Sequence, residues 1–273
     1  MIRAVLNVTS CAALTLALGG GVADAQEVPT APAEKESWKA PFGGTFTAGF
    51  TVLNDYSYRG ISQTMHDIAI QPSLGYETRT LSANLPISAY VGAWGSNVNY
   101  PGTGTTAEID LLAGFRTKTL GDKLSLDLGY IRYNYLSAPS ALFYDFNEFG
   151  LVATYDFGVA TLGGAVRYSP NFFANSGIAW YKQATVAVPM PFIKVNENVS
   201  FKAFASLGNQ YVERYANYAI GADNYWDWQI GLTVTVYGID LTAAYTDTSL
   251  DVQNCGNTYN CQGRVIVSVG KTF

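Results

Sequence analysis

Residues Asn224 to Thr246 (NYWDWQIGLTVTVYGIDLTAAYT) alternate apolar and polar side chains over unusually long arms, on both sides of one short turn. Trp226, Trp228, Ile230, Leu232, Val234 and Val236 share one face, and Tyr225, Asp227, Gln229, Gly231, Thr233 and Thr235 the other. After Tyr237-Gly238 the period of two resumes, with Ile239, Leu241, Ala243 and Tyr245 opposite Asp240, Thr242, Ala244 and Thr246. Alternation around a Gly-containing turn predicts a β-hairpin. Strands of soluble domains run to about five or six residues. Arms of about ten match a tilted crossing of a bilayer instead.

The rest of the chain repeats this unit. Alternating segments begin at Thr45 (running to Tyr58), Ile68, Leu85, Ala107, Leu124, Glu148, Ala160, Trp180 and Val199, and the last runs from Arg264 to Phe273. With the hairpin they make about twelve strands, an even number as a single-chain bacterial barrel needs. Pro72 falls inside one of them, and a bulge is expected there because proline has no ladder donor. Connections alternate in kind. Thr119-Leu120-Gly121-Asp122, Asp156-Phe157-Gly158 and Tyr237-Gly238 are tight, whereas 59–67, 97–106, 136–145, 208–223 and 249–263 are longer and polar. Segments 189–198 and 169–177 fit neither kind clearly. Short turns at one end and long loops at the other are the polarity of an outer-membrane barrel, with both chain ends on the short-turn side.

Composition agrees. Charged residues are 14% of the chain, against the usual quarter or so. Yet no stretch after residue 25 is apolar for the length of a helical span. Trp226, Trp228, Tyr245, Tyr130, Tyr168 and Trp180 fall near the loop ends of their strands, and Phe115, Tyr155 and Tyr76 near the turn ends, as two interfacial girdles would. Arg132, Lys182 and Lys271 break the apolar parity only near strand ends, where the charge can leave the hydrocarbon. A net charge of −5 argues against a nucleic-acid partner.

The domain plan has three parts. Residues 1–25, with a basic start, an apolar run and an Ala23-Asp24-Ala25 cleavage site, predict a signal peptide and export to the outer membrane of a Gram-negative bacterium. Residues 26–42 read as a flexible periplasmic leader, and 43–273 as the barrel. A lipoprotein signal at Cys11 fits poorly, because that cysteine precedes the apolar run. After cleavage Cys255 and Cys261 remain; in an oxidising compartment a disulfide is expected, against a metal site without further ligands.

Three segments, NDYSYRGISQT (54–64), YVGAWGSNV (90–98) and AEIDLLAGF (107–115), resemble the proteobacterial Gcw_chp family, whose members are also labelled TorF-like porins. The resemblance implies an outer-membrane barrel and a channel, and supplies no binding residues. Phe273 is similar to the C-terminal aromatic signal read by the barrel-assembly machinery.

The inward parity carries Glu108, Asp110, Asp127, Glu148, Asp227 and Asp240, with Arg116, Arg167, Lys202 and Arg264. Charges in a barrel wall must face water or one another. They therefore line either a water-filled, cation-tolerant pore for small hydrophilic solutes or a lumen braced by cross-strand ion pairs, a purely structural or surface-binding barrel. Outer-membrane lipids and lipopolysaccharide are the expected surroundings; no cofactor and no enzymatic activity are expected. A lipid hydrolase would need a nucleophile beside a general base, and His66, the sole histidine, has no serine two residues on. Gly102-Thr103-Gly104 lacks the strand-to-helix context of a phosphate cradle. Asp247-x-Ser249-x-Asp251 lacks the glycine and distal glutamate of a calcium loop. Arg59 reads as an anchor between strands or loops rather than a substrate ligand.

Overall fold

The computed structural model describes residues 43–81 and 86–273; the predicted signal peptide (1–25), the predicted leader (26–42) and Leu85 lie outside the described residues. Among them, twelve strands close into one barrel. They are β1 (Thr45–Leu53), β4 (Ala69–Glu77), β5 (Ile87–Asn97), β6 (Ala107–Thr119), β7 (Leu124–Leu136), β8 (Phe146–Asp156), β9 (Thr161–Ser169), β10 (Ala179–Pro189), β11 (Val199–Val212), β12 (Asn224–Val236), β13 (Ile239–Thr248) and β14 (Arg264–Thr272). A separate two-stranded ribbon, β2 (Ser57–Tyr58) and β3 (Ile61–Ser62), belongs to the first long connection. Every wall strand pairs antiparallel with its sequence neighbour, and β1 closes the ring on β14. Closure leaves no free edge, the condition for a sheet to cross lipid.

The faces are inverted relative to a soluble sheet. Phe50, Leu74, Leu128, Leu151, Ile230 and Val267 point outward and are exposed, while Glu108, Asp110, Glu148 and Asp227 point inward and are buried. Burying one large aliphatic side chain is worth about 1.5–3 kcal/mol, so a belt of them facing water would undo the fold; facing hydrocarbon, it favours insertion. Aromatic pairs sit at both rims. Tyr168–Trp180 (4.7 Å between ring centres) and Tyr130–Phe149 (5.3 Å) lie toward the long loops, and Phe46–Tyr76 and Tyr155–Phe157 (both 4.6 Å) toward the short turns. The fold is a transmembrane antiparallel up-and-down β-barrel of twelve strands.

Two expectations need correction. β1 ends at Leu53 rather than Tyr58: its partner β4 begins only at Ala69, opposite Leu53, Asn54 serves the next groups of β14 through its side chain (Val267 N–H to Oδ1, 2.8 Å; Nδ2–H to Val265 O, 3.2 Å), and the chain turns inward. No bulge forms at Pro72, which pairs in register with Phe50. The ladder from β4 to β5 starts only at Ser73, so the donor that proline lacks has no partner to lose. Asn97 takes over beyond it, accepting from Ile70 N–H (2.8 Å) and donating to Ile68 O (2.9 Å).

Candidate functional site: a lumen filled by the first long loop

The connection 54–68, here termed the plug, enters the barrel from the long-loop end. Its base is Asp55, whose buried carboxylate accepts from Ser62 Oγ (2.5 Å), Thr64 Oγ1 (2.9 Å) and Arg264 Nε of β14. Thr64 Oγ1 also accepts the Tyr56 N–H (3.1 Å), and Tyr56 O accepts the Gln63 N–H (2.7 Å). These bonds fold the segment back on itself and set β2 against β3, with Arg59 (φ 49°) and Gly60 (φ 82°) at the turn. Two positive φ values in a two-residue loop are the geometry that matches strand twist. Glycine takes it without strain. For Arg59 it costs on the order of 1 kcal/mol, so the surrounding contacts must hold that residue in place.

They do. Arg59 is 2% exposed. Its Nη2 reaches both oxygens of Glu148 on β8 (2.9 and 2.7 Å), and Nη1 donates to Gln210 Oε1 on β11 (2.6 Å). The guanidinium lies over Tyr181 of β10 (4.2 Å) and beside Tyr58 (4.7 Å). Glu148 also accepts from Tyr133 of β7 (3.0 Å). A planar guanidinium suits this double demand, one nitrogen for each of two partners on different strands and a flat face for a ring. Elsewhere the plug meets other walls: Tyr56 donates to Glu108 of β6 (3.1 Å) and packs on Trp94 of β5 (5.4 Å). Gly60 lies so close to β12 and β13 that a Cβ there would stand 2.2 Å from Thr248 and 3.1 Å from Asp227. Spokes thus run to strands all round the barrel. Burial pushes the Tyr56 and Tyr58 phenols well above their ordinary range, so both stay neutral at neutral pH.

Above the plug lies an aromatic roof. Tyr144 stacks on Phe173 (4.2 Å), Tyr100 meets both edge-on, and Tyr218 packs on Phe172 (5.0 Å). Burial raises the Tyr218 phenol to about 12. Tyr100 OH donates to Gln63 Oε1 (2.5 Å), tying roof to plug.

Below the plug, a small pocket is lined by Arg59, Gly60, Gln183, Ser206, Asp227, Gln229 and Thr246. Lower still a second layer narrows the lumen. Tyr90 lies flat over Gly114 and Gly129, where a Cβ would stand 2.5 and 2.7 Å from its hydroxyl. That hydroxyl donates to Asp127 Oδ1 (2.8 Å), Arg116 pairs with Asp127 (2.8 Å) and Glu77 (2.9 Å), and Phe204 packs over Gly231.

The inward charges named from the sequence therefore separate into sets. Glu108, Glu148 and Arg264 engage the plug; Arg116 and Asp127 pair across neighbouring strands; Asp227 accepts from Tyr181 (3.1 Å). Asp110 is fully buried beside Glu108's strand position, Asp240 accepts from Thr235 (2.6 Å), Arg167 lies against Gly150, and Lys202 sits opposite Thr233. Cys255 and Cys261 form a disulfide in the connection 249–263. Sequence reasoning left out Asp55, Tyr56, Tyr133, Tyr181 and Gln210. Their one advance signal was an Arg-Gly pair, a turn with a charge, inside an otherwise alternating stretch.

The hydrolase geometry is missing at His66. That residue is 42% exposed, with Nδ1 3.6 Å from Asp55 Oδ2. The Ser62 hydroxyl donates to Asp55, not to the imidazole, so the carboxylate stands where the base should be. Among the described residues no group of three or more His, Cys, Asp or Glu side chains could hold a metal.

A closed membrane barrel with its first long loop packed inside defines the class of protein. Within that class the chain belongs to the Gcw_chp family, described as a bacterial protein of unknown function, which matches residues 37–273. No curated protein matches its sequence. Solved structures with a similar course include LpxR from Salmonella typhimurium (10% identity, TM-score 0.46, covering 83% of this chain and 99% of that one). The NanC porin is another (11%, 0.47, 84% and 99%), as is an outer-membrane channel from Pseudomonas putida F1 (8%, 0.48, 89% and 100%).

Proposed function

We propose that this protein is an outer-membrane channel held shut by its first long loop, admitting small hydrophilic solutes when residues 54–68 withdraw. The observation that carries the reading is Arg59, strained at the tip of a hairpin and bonded to Glu148 inside the lumen. A wall meant only to be filled would not need a charge delivered from a separate loop. Withdrawal uncovers Glu108, Asp110, Glu148 and Asp227 together, so the open state favours cations. Residues 1–25 then serve export, Phe273 serves the assembly machinery, and Arg132 and Lys182, outward near the long-loop rim, face lipopolysaccharide. No catalytic role is assigned.

The lower layer of Tyr90, Asp127, Arg116 and Phe204 favours a second reading, a barrel sealed along its length that works through its loops. Conductance in planar bilayers decides. The channel reading expects wild-type protein to be mostly closed, and Arg59→Ala or a plug shortened across 57–62 to open it with cation selectivity. Silence from both altered proteins, with the barrel verified by heat-modifiable migration, establishes the sealed barrel. Anion-selective currents contradict the lining assigned above.

A further inference from the structure

We infer that the connection 249–263, closed on itself by the Cys255–Cys261 disulfide, is the latch that holds the plug in the lumen, a statement about regulation that rests on the closed-channel reading. The ribbon β2–β3 pairs only Ser57 with Ser62 and Tyr58 with Ile61, too little to persist alone when even a full isolated hairpin is marginal. Its outer edge needs a partner, and this loop provides one: the Ser62 N–H donates to Asn260 O (2.8 Å). Arg264, at the loop's exit, clips both sides of the joint. Its Nη1 donates to Gly60 O of the plug (3.1 Å) and to Asn260 O and Gln262 O of the loop (3.2 and 3.0 Å), while Nε holds Asp55.

The loop is built to keep that edge in place. Cys255 and Cys261 are buried with Ile220, Tyr225 and Leu250 in a small apolar core, and Ile61 of the plug packs against it. Thr248 Oγ1 donates to Cys261 O (2.8 Å) and Gln262 Nε2 to Leu250 O (2.9 Å), binding the two arms together. Asn254 O accepts the Gly221 N–H (2.7 Å), mooring the loop to its neighbour. The disulfide closes a polar segment whose own turns (Cys255 N–H to Asp251 O, 3.0 Å; Thr258 N–H to Cys255 O and Gln262 N–H to Tyr259 O, both 3.1 Å) already shape it, and so fixes the position of Asn260 O. The polar holds from the connection 97–106, Asn99 N–H to Gln63 O (2.8 Å) and Tyr100 OH to Gln63 Oε1 (2.5 Å), both fall on Gln63, beyond the ribbon and away from its turn.

The test is amide hydrogen exchange of the full-length protein in lipid vesicles, followed on peptides covering 54–68 and 226–235. Two variants are compared with wild type: Cys255→Ala/Cys261→Ala, and Arg264→Gln, which keeps the disulfide. Exchange across 57–63 is expected to accelerate by roughly tenfold or more in both, as local opening becomes easier, with 226–235 unchanged and open-channel events more frequent. Unchanged exchange across 57–63 overturns the latch, and so does loosening of 226–235 to the same extent, which marks a general brace. Because exchange is read without current, silence from both Arg59→Ala and the shortened plug sinks the channel reading and leaves this result standing, while faster current without faster plug exchange does the reverse.

Discussion

At the scale of single residues, the pair Arg59–Glu148 governs the interior. A buried ion pair is not stabilising merely by being charged, since both partners lose hydration; removing one partner, however, leaves the other uncompensated and costs about 3–5 kcal/mol. Glu148→Ala removes the counter-charge from a guanidinium packed among Tyr58, Tyr181 and Phe172, with Gln210 still accepting. Arg59→Ala strands the carboxylate, with only Tyr133 still donating. Each single change is therefore expected to shift the plug toward release, and the double change by less than the sum. The measurement is a double-mutant cycle on amide exchange across 57–63. Additive effects would mean the two residues act through different contacts. Arg59→Lys is not a rescue, because an ammonium can neither hold Glu148 and Gln210 from two separate nitrogens nor lie flat on the ring. Glu148 was marked in advance by its parity. Its partner was not, because a pattern of alternation says which way a residue points and not what comes to meet it.

At the scale of elements, the alternation test located every wall strand to within a few residues, since lipid outside and side chains inside impose strict period-two patterning on the wall. It overran at 54–58 for a physical reason. The plug's ribbon is also extended, so Tyr56 and Tyr58 prolong the parity of Phe46 to Val52 although they stand in the lumen. Period alone cannot tell a wall strand from a strand inside the wall. Pro72 misled in the other direction, because a gap between β4 and β5 was not visible from either strand. The lipid-facing assignment has its own test. Ile230, midway along β12 and 63% exposed, should resist charge: Ile230→Arg is expected to cost about 2–4 kcal/mol in urea unfolding from vesicles. The same change at Trp226, near the rim, is expected to cost only about 0–1 kcal/mol. Equal penalties at both depths would contradict the placement of the belt.

For the whole molecule, closure is the step on which everything else depends, because an unsealed wall exposes backbone to lipid and gives the plug nothing to press against. The seam β1–β14 is short, five residue pairs from Gly49–Thr272 to Leu53–Ser268, whereas β1 meets β4 over nine. Phe273 extends it: its N–H donates to Ala48 O (2.8 Å) and its carbonyl accepts the Ala48 N–H (3.2 Å). The side chain lies outward in the short-turn girdle, with Lys271 Nζ 4.9 Å from the ring centre. The terminal residue therefore has two separable duties, one borne by its backbone and one by its ring. Deleting Phe273 removes both; Phe273→Ala removes only the second. If the seam is the weak point of the wall, the deletion lowers the temperature at which heat-modifiable migration is lost, and Phe273→Ala leaves it nearly unchanged. If the ring is what the assembly machinery reads, both changes slow insertion into vesicles carrying that machinery, while unassisted folding into detergent is slowed only by the deletion. Equal thermal loss from the two changes would show that the ring, through the girdle, and not the two hydrogen bonds, holds the seam shut.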